Sequence, residues 1–303
     1  MTLRSLALLA SRMEELRAYR RYRAAKERGA GFGWKIWLPF FRNAIRHEAQ
    51  SAWPGGYIRV ADDLLMYVPR EVDASAGYLL LKPYAHEPLV GLLCRSGETV
   101  IDIGANLGRW TVSAALAVGQ SGRVIALEPI SRLADAISKT CLLNRFHWVK
   151  VINAAASDNA GEAVFSIEQE NSGGSRLGTM QNDPSRTFQQ LSVKTITVDQ
   201  CVEEEKIETL GLMKIDVEGF ESQVIAGATA SLRRFSPTLV LETGHESAES
   251  RKQIAIMLRA LNYQIVGVPA GPALVEGSWD DYVRRKGFFD RQGAIDIVLM
   301  VSK

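Results

Sequence analysis

The sequence predicts an α/β fold, in which a mostly parallel sheet is covered by helices on both faces, and three observations lead to it. The 303 residues are 47% hydrophobic and 23% charged, which is ordinary for a globular protein. Short apolar runs alternate with helical patterns of about ten residues or more. Five of these runs end in acidic or polar residues. One main domain with an extension fits this length.

Strands and helices are predicted in alternation from residue 98 onward. The predicted strands are 98–104, 123–129, 149–157, 210–217, 237–244, 264–268 and 294–302. The predicted helices are 110–119, 133–144, 221–234 and 251–262. Most of the strands are nearly continuous apolar runs, the pattern of strands that are buried on both faces of a parallel sheet.

The alternation is interrupted at about residues 163–202. Two strand-like runs flank a polar stretch between Gln169 and Gln190 there. Loops longer than about 12 to 15 residues in a compact domain are usually functional or disordered. This hairpin insertion is therefore a candidate lid or substrate loop.

Residues 1–85 are predicted to form an extension to the main domain, which we place at 86–303. Residues 1–50 contain eleven Lys or Arg and four Asp or Glu, a balance of +7. An amphipathic helix is predicted over residues 3–26, and a short hairpin over 56–69 with its turn at Asp62 and Asp63. Between them, aromatic residues alternate with cations: Trp34, Lys35, Trp37, Phe40, Phe41, Arg42 and Arg46.

Two interpretations of this basic, aromatic segment remain open. It suits peripheral contact with a membrane or an anionic glycolipid. Alternatively, its aromatic rings pack onto the main domain and its arginines are solvated. Nucleic acid is not an expected partner, because no recognised binding motif accompanies the charge.

The remaining composition predicts a cytoplasmic protein, with any membrane contact peripheral and at the inner face. Cys94, Cys141 and Cys201 form no CxxC pair and no metal-ligand spacing. No apolar run reaches the roughly 18 to 20 residues of a membrane span, and none at the N-terminus is long enough for a signal peptide.

Polar residues follow five of the predicted strands. In an open parallel sheet, ligands bind outside the carboxyl ends of the strands. Each feature has a simpler explanation, since a glycine loop also makes a tight turn and an acid also caps a helix. Their convergence on one edge nevertheless predicts a binding site formed by Asp102 with the loop Gly104, Ala105, Asn106, Leu107 and Gly108, by Glu128, by Ser157 and Asp158, by Asp216 to Gly219, and by Glu242 to His245.

The glycine loop does not fit the common phosphate-binding patterns. A dinucleotide fingerprint would need glycine where Asn106 and Arg109 stand, and the loop has no GxxxxGK[ST]. Glu128, twenty residues after Gly108, is placed to accept both hydroxyls of a ribose. A ring of acids suits a cationic cofactor without phosphates, which points to the sulfonium S-adenosylmethionine.

Five motifs resemble the FkbM-type branch of class I S-adenosylmethionine-dependent methyltransferases: DIGANLGRWT, VIALEP, NAAASD, LMKIDVEGFE and LVLETG. The resemblance runs from about Glu87 to the C-terminus. It implies a Rossmann-like fold with a seven-stranded sheet whose last strand, 294–302, is antiparallel.

The resemblance also implies which residues bind the cofactor. The loop from Asp102 through Gly104, Ala105 and Asn106 to Gly108 would wrap the methionine part. Glu128, with Pro129 beside it, would bind the ribose. The remaining positions are Ser157 and Asp158 at the adenine, Glu87 at the methionine amino group and Asp216 near the reactive methyl.

The catalytic candidates lie in KIDVEG and ETGH. Lys214, Asp216 and Glu218 are two residues apart and would share one side of a strand. They form either an ion pair of Lys214 with Asp216 and a helix cap at Glu218, or a site in which Asp216 orients or deprotonates the acceptor. His245 is the other candidate base, with Glu242 positioning it or the substrate. Asp216, Glu218 and Glu242 offer oxygen ligands, but the spacing requires no metal and none is predicted.

The family mostly methylates hydroxyl oxygens. The resemblance therefore implies an O-methyltransferase whose acceptor is a saccharide, a glycolipid or a secondary metabolite. Two alternatives from other classes remain open: a nicotinamide-dependent oxidoreductase, and a non-catalytic module that binds membrane or glycolipid.

Overall fold

The computed structural model describes residues 54–61, 64–70, 87–169, 171–182, 186–270, 273–290 and 295–302. The predicted N-terminal helix, the aromatic and cationic cluster, and the turn at Asp62 and Asp63 lie outside these ranges. No helix of the described residues is both long and apolar enough to cross a membrane.

The predicted hairpin is present as strands β1 (Gly56–Ala61) and β2 (Leu64–Val68), which pair antiparallel. It packs on helix α3 (Ser131–Leu143). The backbone N–H of Tyr67 donates to Thr140 Oγ1 at 2.9 Å, and Asn144 Nδ2 donates to the Leu65 carbonyl at 2.6 Å. These bonds attach the hairpin to the C-terminal end of α3.

The main sheet has eight strands among the described residues: β3 (Thr99–Ile103), β4 (Arg123–Leu127), β5 (Val149–Ile152), β10 (Leu212–Ile215), β11 (Thr238–Thr243), β12 (Tyr263–Ala270), β13 (Ala273–Val275) and β14 (Ile295–Val301). Their order across the sheet is β13-β12-β14-β11-β10-β3-β4-β5. Strand β14 runs antiparallel between β11 and β12, which confirms the predicted orientation of the last strand. Strand β13 was not predicted, because its three residues are too short a run to identify from the sequence.

Helices cover both faces of this sheet. They are α1 (Pro88–Leu93), α2 (Arg109–Val118), α3, α4 (Val198–Glu204), α5 (Glu221–Ala226), α6 (Thr229–Phe235), α7 (Ala248–Ala260) and α8 (Trp279–Arg284). Helix α7 begins three residues before the predicted start, because Ser247 caps it by accepting from the Ser250 N–H at 3.1 Å.

The helix predicted over 221–234 is divided into α5 and α6 at Gly227 and Ala228. Gly227 lies so close to the Ser157 carbonyl oxygen that a Cβ at this position would overlap it. The break therefore allows the chain that follows strand β6 (Ala155–Ala156) to pass directly against the helix pair.

The insertion forms a second sheet of four strands, in the order β6-β9-β7-β8. Strands β7 (Gly161–Glu168) and β9 (Phe188–Ile196) are the two predicted strand-like runs, and they pair antiparallel. The polar stretch between them contains a 3₁₀ turn (Ser172–Gly174) and β8 (Arg176–Leu177). The strand predicted over 149–157 is divided, since β6 leaves the main sheet and pairs parallel with β9.

The core lies on both faces of the central strands. Alternating residues of β3 and its neighbours are fully buried on opposite faces, with Val100 and Val124 on one and Ile101 and Ile125 on the other. Because side chains alternate along a strand, this packing fixes the register and thus the point where each strand ends.

Candidate active site

The glycine loop between β3 and α2 is held by the neighbouring strand ends. The N–H groups of Gly104 and Ala105 donate to the Leu127 carbonyl at 3.0 and 3.1 Å. Gly104 has φ +81, and a Cβ there would overlap the carbonyl oxygen of Asp216. Gly108 also has φ +81, and its Cβ would lie 2.9 Å from Ile137 Cγ1. Glycine fits both positions, because it tolerates a positive φ and has no Cβ that would collide with these neighbours.

Asp102 lies beneath this loop and is fully buried. Thr111 Oγ1 donates to its Oδ2 at 2.6 Å, which joins the end of β3 to the first turn of α2. The other oxygen, Oδ1, is buried and has no hydrogen-bond partner among the described residues. Burial raises the pKa of this carboxyl. Asp102 thus supports the loop from below.

Glu128 is the buried acid at the end of β4. Its Oε2 accepts from the Asn106 N–H at 2.7 Å, and its Oε1 accepts from the Ile130 N–H at 2.8 Å. Burial raises the pKa of Glu128 to about 8. Since each carboxylate oxygen accepts more than one hydrogen bond, both remain able to accept from a ligand hydroxyl.

A cleft with two compartments opens above these residues, and the two share Gly104, Asn106, Asp216 and Glu242. The first compartment carries the carboxyl groups of Glu128 and Glu218 besides the shared acids, and its other walls are mainly apolar and include Pro129, Ile130, Ala154, Ala155, Ala156, Phe165, Ser172 and Leu177. The second compartment is polar, and its walls include Glu87, Arg109, Trp110, Asn171, Lys214 and Asp296.

The segment that follows β5 lines the cleft with residues other than Ser157 and Asp158. The walls are formed by Ala154 to Ala156, the residues just before them. The Ser157 N–H donates to the Ile196 carbonyl at 3.0 Å, and its Oγ lies 3.1 Å from Asp158 Oδ1. An adenine contact by Ser157 and Asp158 stays a prediction.

The second compartment contains charged residues that the sequence analysis missed. Arg109 Nη2 donates to Glu87 Oε1 at 2.5 Å, so the arginine after the glycine loop holds the predicted Glu87. Asp296 faces the same space from β14, where it is opposite Glu242 in the strand register. An acid within the apolar run IDIVLMV is a signal that would have identified Asp296.

The end of β10 brings Lys214 and Asp216 together. Lys214 Nζ lies 2.5 Å from Asp216 Oδ2. Burial alone would lower the pKa of Lys214, but the carboxylates around it outweigh this and raise it. Burial alone would raise the pKa of Asp216, but Lys214 outweighs this and lowers it. Both groups are therefore charged, and Asp216 also reaches the cleft.

Glu218 does not cap the next helix, contrary to one of the two interpretations of KIDVEG. The N–H of Gly219 donates to Glu221 Oε1 at 3.0 Å, so Glu221 is the residue that fixes this turn. Glu218 itself has φ +54 and lines the cleft. Burial, with Asp216 and Glu221 nearby, raises its pKa to about 8.

Glu218, Glu242 and His245 meet at the outer side of the cleft. His245 Nδ1 lies 3.3 Å from Glu218 Oε2, and His245 Nε2 lies 4.0 Å from Glu242 Oε2. Burial and the nearby Asp216 carboxylate raise the pKa of Glu242, whereas burial lowers that of His245. The turn after β11 is fixed by Glu246, whose Oε2 accepts from the Gly244 N–H at 2.6 Å.

The structure thus brings most of the predicted site residues to one cleft. Glu87, the glycine loop, Glu128, Pro129, Lys214, Asp216, Glu218 and Glu242 line it, and His245 contacts two of these. The apolar wall of the insertion, including Phe165 and Leu177, was missed because only the paired strands bring it over the site.

Comparison with known proteins gives one family match. A model described as the methyltransferase FkbM domain matches residues 102–265, which is more than half of the 303 residues. The match includes the glycine loop, the insertion and the turns that carry Asp216 and His245.

Solved structures with similar folds are of low identity. One is a methyltransferase FkbM from Methylobacillus flagellatus, 14% identical, with a TM-score of 0.44, covering 87% of this chain and 60% of that one. Another is an O-methyltransferase from Bacillus cereus in complex with S-adenosylhomocysteine, 12% identical, with a TM-score of 0.39, covering 67% and 73%. A third is the fibrillarin of Aeropyrum pernix with bound S-adenosylmethionine, 14% identical, with a TM-score of 0.39, covering 75% and 74%.

Proposed function

Because this chain belongs to the FkbM methyltransferase family, we propose that it transfers a methyl group from S-adenosylmethionine to a hydroxyl oxygen of its acceptor. The observation that carries the proposal is the position of Asp216. Its side chain lies where the two compartments of the cleft meet, with the glycine loop against its backbone.

The residues present fit S-adenosylmethionine. The first compartment offers an apolar wall for the adenine and the buried carboxylate of Glu128 for the ribose hydroxyls. The second offers carboxylates such as Glu87 for the methionine amino group, and Arg109 and Lys214 for its carboxylate. Asp102 Oδ1, which is buried and has no hydrogen-bond partner among the described residues, lies beneath the loop between them.

S-adenosylmethionine supplies, when bound, a methyl group on a positively charged sulfur that leaves as a neutral thioether. Asp216 orients the acceptor hydroxyl and takes its proton as the new O–C bond forms and the C–S bond breaks. Lys214 keeps Asp216 ionised and fixed in direction. Such a base contributes about 10²- to 10⁴-fold to the rate, and alignment contributes the rest.

The acceptor is proposed to be a saccharide, a glycolipid or a hydroxylated secondary metabolite. Side chains with several donor and acceptor atoms surround the outer side of the cleft, namely Glu218, Glu242, His245 and Arg176. These groups suit a ligand with several hydroxyls, since each hydroxyl both donates and accepts.

Labelled methyl transfer into fractionated cell extract tests this proposal. The protein is incubated with S-adenosylmethionine carrying a labelled methyl, and the product is examined by mass spectrometry. We expect the label in a methyl ether that is stable to mild base. Label on nitrogen, carbon or a carboxyl group would contradict O-methylation of a hydroxyl.

Peripheral contact with an anionic membrane or glycolipid is proposed for residues 1–50, which the sequence makes basic and aromatic. Sedimentation of the full chain with anionic liposomes tests it. Replacing Lys35, Arg42 and Arg46 by Glu is expected to release the protein to the supernatant. Equal sedimentation of both proteins would remove this role.

A further inference from the structure

We propose that Glu218, Glu242 and His245 bind a divalent cation on the acceptor side of the cleft. Each residue offers one ligand atom, and the three atoms lie within 4.8 Å of one another. Glu218 and His245 come from the turns after two adjacent parallel strands, β10 and β11, and Glu242 lies near the end of β11. The sequence spacing required no metal, and only the folded turns bring this mixed set of oxygen and nitrogen donors together.

The distances fit one ion. Bonds of about 2.0 to 2.2 Å to a cation place neighbouring ligand atoms roughly 3.0 to 3.5 Å apart. His245 Nδ1 and Glu218 Oε2 are already 3.3 Å apart. A cation takes one ring nitrogen, and the 4.0 Å contact of Glu242 Oε2 is to the other one, Nε2, so the shared ligand set is given by one atom from each residue within 4.8 Å. Because 37% of the His245 side chain is exposed, its ring has room for the small rotation that binding needs.

An independent feature of Glu242 supports a cation. Its Oε2 is buried and has no hydrogen-bond partner among the described residues. A buried carboxylate oxygen without a donor is costly, typically by about 1 to 3 kcal/mol or more. This same oxygen is the one that faces His245. A bound cation would give it the partner that the protein atoms do not provide.

The charge around the cluster also favours a cation. Three carboxyl groups, those of Asp216, Glu218 and Glu242, converge there. Lys214 is in contact with Asp216, and Arg176 Nη1 donates to the Glu218 carbonyl oxygen at 3.4 Å. A bound divalent cation would stabilise the ionised forms of the three converging carboxyl groups.

The donor set indicates the chemical class of the ion. Two carboxylate oxygens and one imidazole nitrogen suit Mn²⁺ or Zn²⁺, whereas Mg²⁺ and Ca²⁺ prefer oxygen ligands alone. Three protein ligands leave coordination positions open, as in catalytic metal sites. Two neighbouring oxygens of the acceptor fit such positions, so we infer a vicinal diol or an equivalent chelating pair. This acceptor role rests on the proposed function, whereas cation binding does not.

The test measures Mn²⁺ binding by electron paramagnetic resonance on the full chain after treatment with a chelator. We expect one ion per chain, and at least roughly tenfold weaker binding after His245→Ala or Glu218→Gln. Glu249→Gln, an exposed glutamate on α7, is the matched control and should bind as the wild type does. Calorimetry with S-adenosylhomocysteine on the same samples shows that each variant is folded.

The outcomes separate the two proposals. Wild-type protein that binds S-adenosylhomocysteine but no Mn²⁺ or Zn²⁺ would overturn the cation site and leave the methyltransferase proposal standing. Equal Mn²⁺ affinity in wild type and His245→Ala would overturn it as well. Mn²⁺ binding that depends on His245, in protein that does not bind S-adenosylhomocysteine, would support the site and contradict the proposed cofactor.

Discussion

The Cα of Gly104 lies directly against the carbonyl oxygen of Asp216, with no room between them for a Cβ. This contact joins the glycine loop after β3 to the end of β10, its neighbour in the sheet. One residue of the pair belongs to the cofactor loop and the other carries the proposed base. Their relative position is therefore set by backbone packing, and side-chain flexibility does not loosen it.

Gly104→Ala is expected to disrupt both halves of the site. The new Cβ would overlap the Asp216 carbonyl, and φ +81 is strained for alanine. We expect a loss of at least about 2 kcal/mol in the free energy of unfolding and severely weakened binding of S-adenosylhomocysteine. Chemical denaturation and calorimetry measure the two effects.

Gly119→Ala is the matched control for this change. Gly119 has φ +66, but a Cβ there would meet no atom within 4 Å. Its φ +66 and ψ −173 lie in a region open almost only to glycine, so it should show the backbone cost alone, about 1 to 3 kcal/mol, with unchanged cofactor affinity. Equally weakened cofactor binding in both variants would mean that the contact with Asp216 has no special role.

Asp216→Asn is expected to separate cofactor binding from catalysis. The amide keeps the size of the side chain but cannot take a proton from the acceptor. We predict an affinity for S-adenosylhomocysteine within a few-fold of wild type and a turnover reduced by about 10²-fold or more. Steady-state kinetics and calorimetry check this, with the exposed Asp280→Asn as control. Undiminished turnover would remove Asp216 from the catalytic role.

Cofactor affinity is expected to rise with pH because of Glu128. Burial raises its pKa to about 8, so it is mostly protonated below that pH and ionised above it. In the ionised form neither carboxylate oxygen carries a proton, so both can accept hydrogen bonds from the ribose hydroxyls. We predict roughly tenfold tighter binding of S-adenosylhomocysteine at pH 9 than at pH 6.5.

Glu128→Gln is the control that isolates this carboxyl group from other titrating groups, the cofactor's own amino group among them. The variant should bind more weakly and lose most of the pH dependence. A pH dependence equal to that of wild type would assign the titration to another residue.

Ser172→Ala is expected to weaken cofactor binding through the glycine loop. Asn106 Nδ2 donates to Ser172 Oγ at 3.3 Å, the contact between this loop and the insertion. We predict a reduction in affinity of about three- to tenfold, as one neutral hydrogen bond is worth roughly 1 kcal/mol. Ser192→Ala is the control, because Ser192 lies on the same insertion and its hydroxyl donates to the exposed Glu162. Equal effects of the two changes on affinity would argue against a role of the Asn106–Ser172 contact in cofactor binding.

The sequence predicted the central fold and the acids at the strand ends for physical reasons that the structure makes clear. Strands buried on both faces are continuous apolar runs, so Asp102 and Glu128 mark the points where β3 and β4 end. Those points then determine which residues share the carboxyl edge.

What could not be predicted depends on pairing between distant segments. The division of 149–157 into β5 and β6 follows from the pairing of β6 with β9, about forty residues later in the chain. The local apolar pattern is the same for either sheet, so the sequence could not show that Ala154 to Ala156 would line the cleft. The Glu87–Arg109 ion pair likewise depends on the packing of α1 against α2.

Calorimetric titration of the full chain with S-adenosylhomocysteine and, separately, with NAD tests whether the cleft binds S-adenosylmethionine. The proposed function predicts binding of S-adenosylhomocysteine at one site per chain, weakened in Glu128→Gln, and no binding of NAD. Binding of NAD, with no heat from S-adenosylhomocysteine, would contradict it.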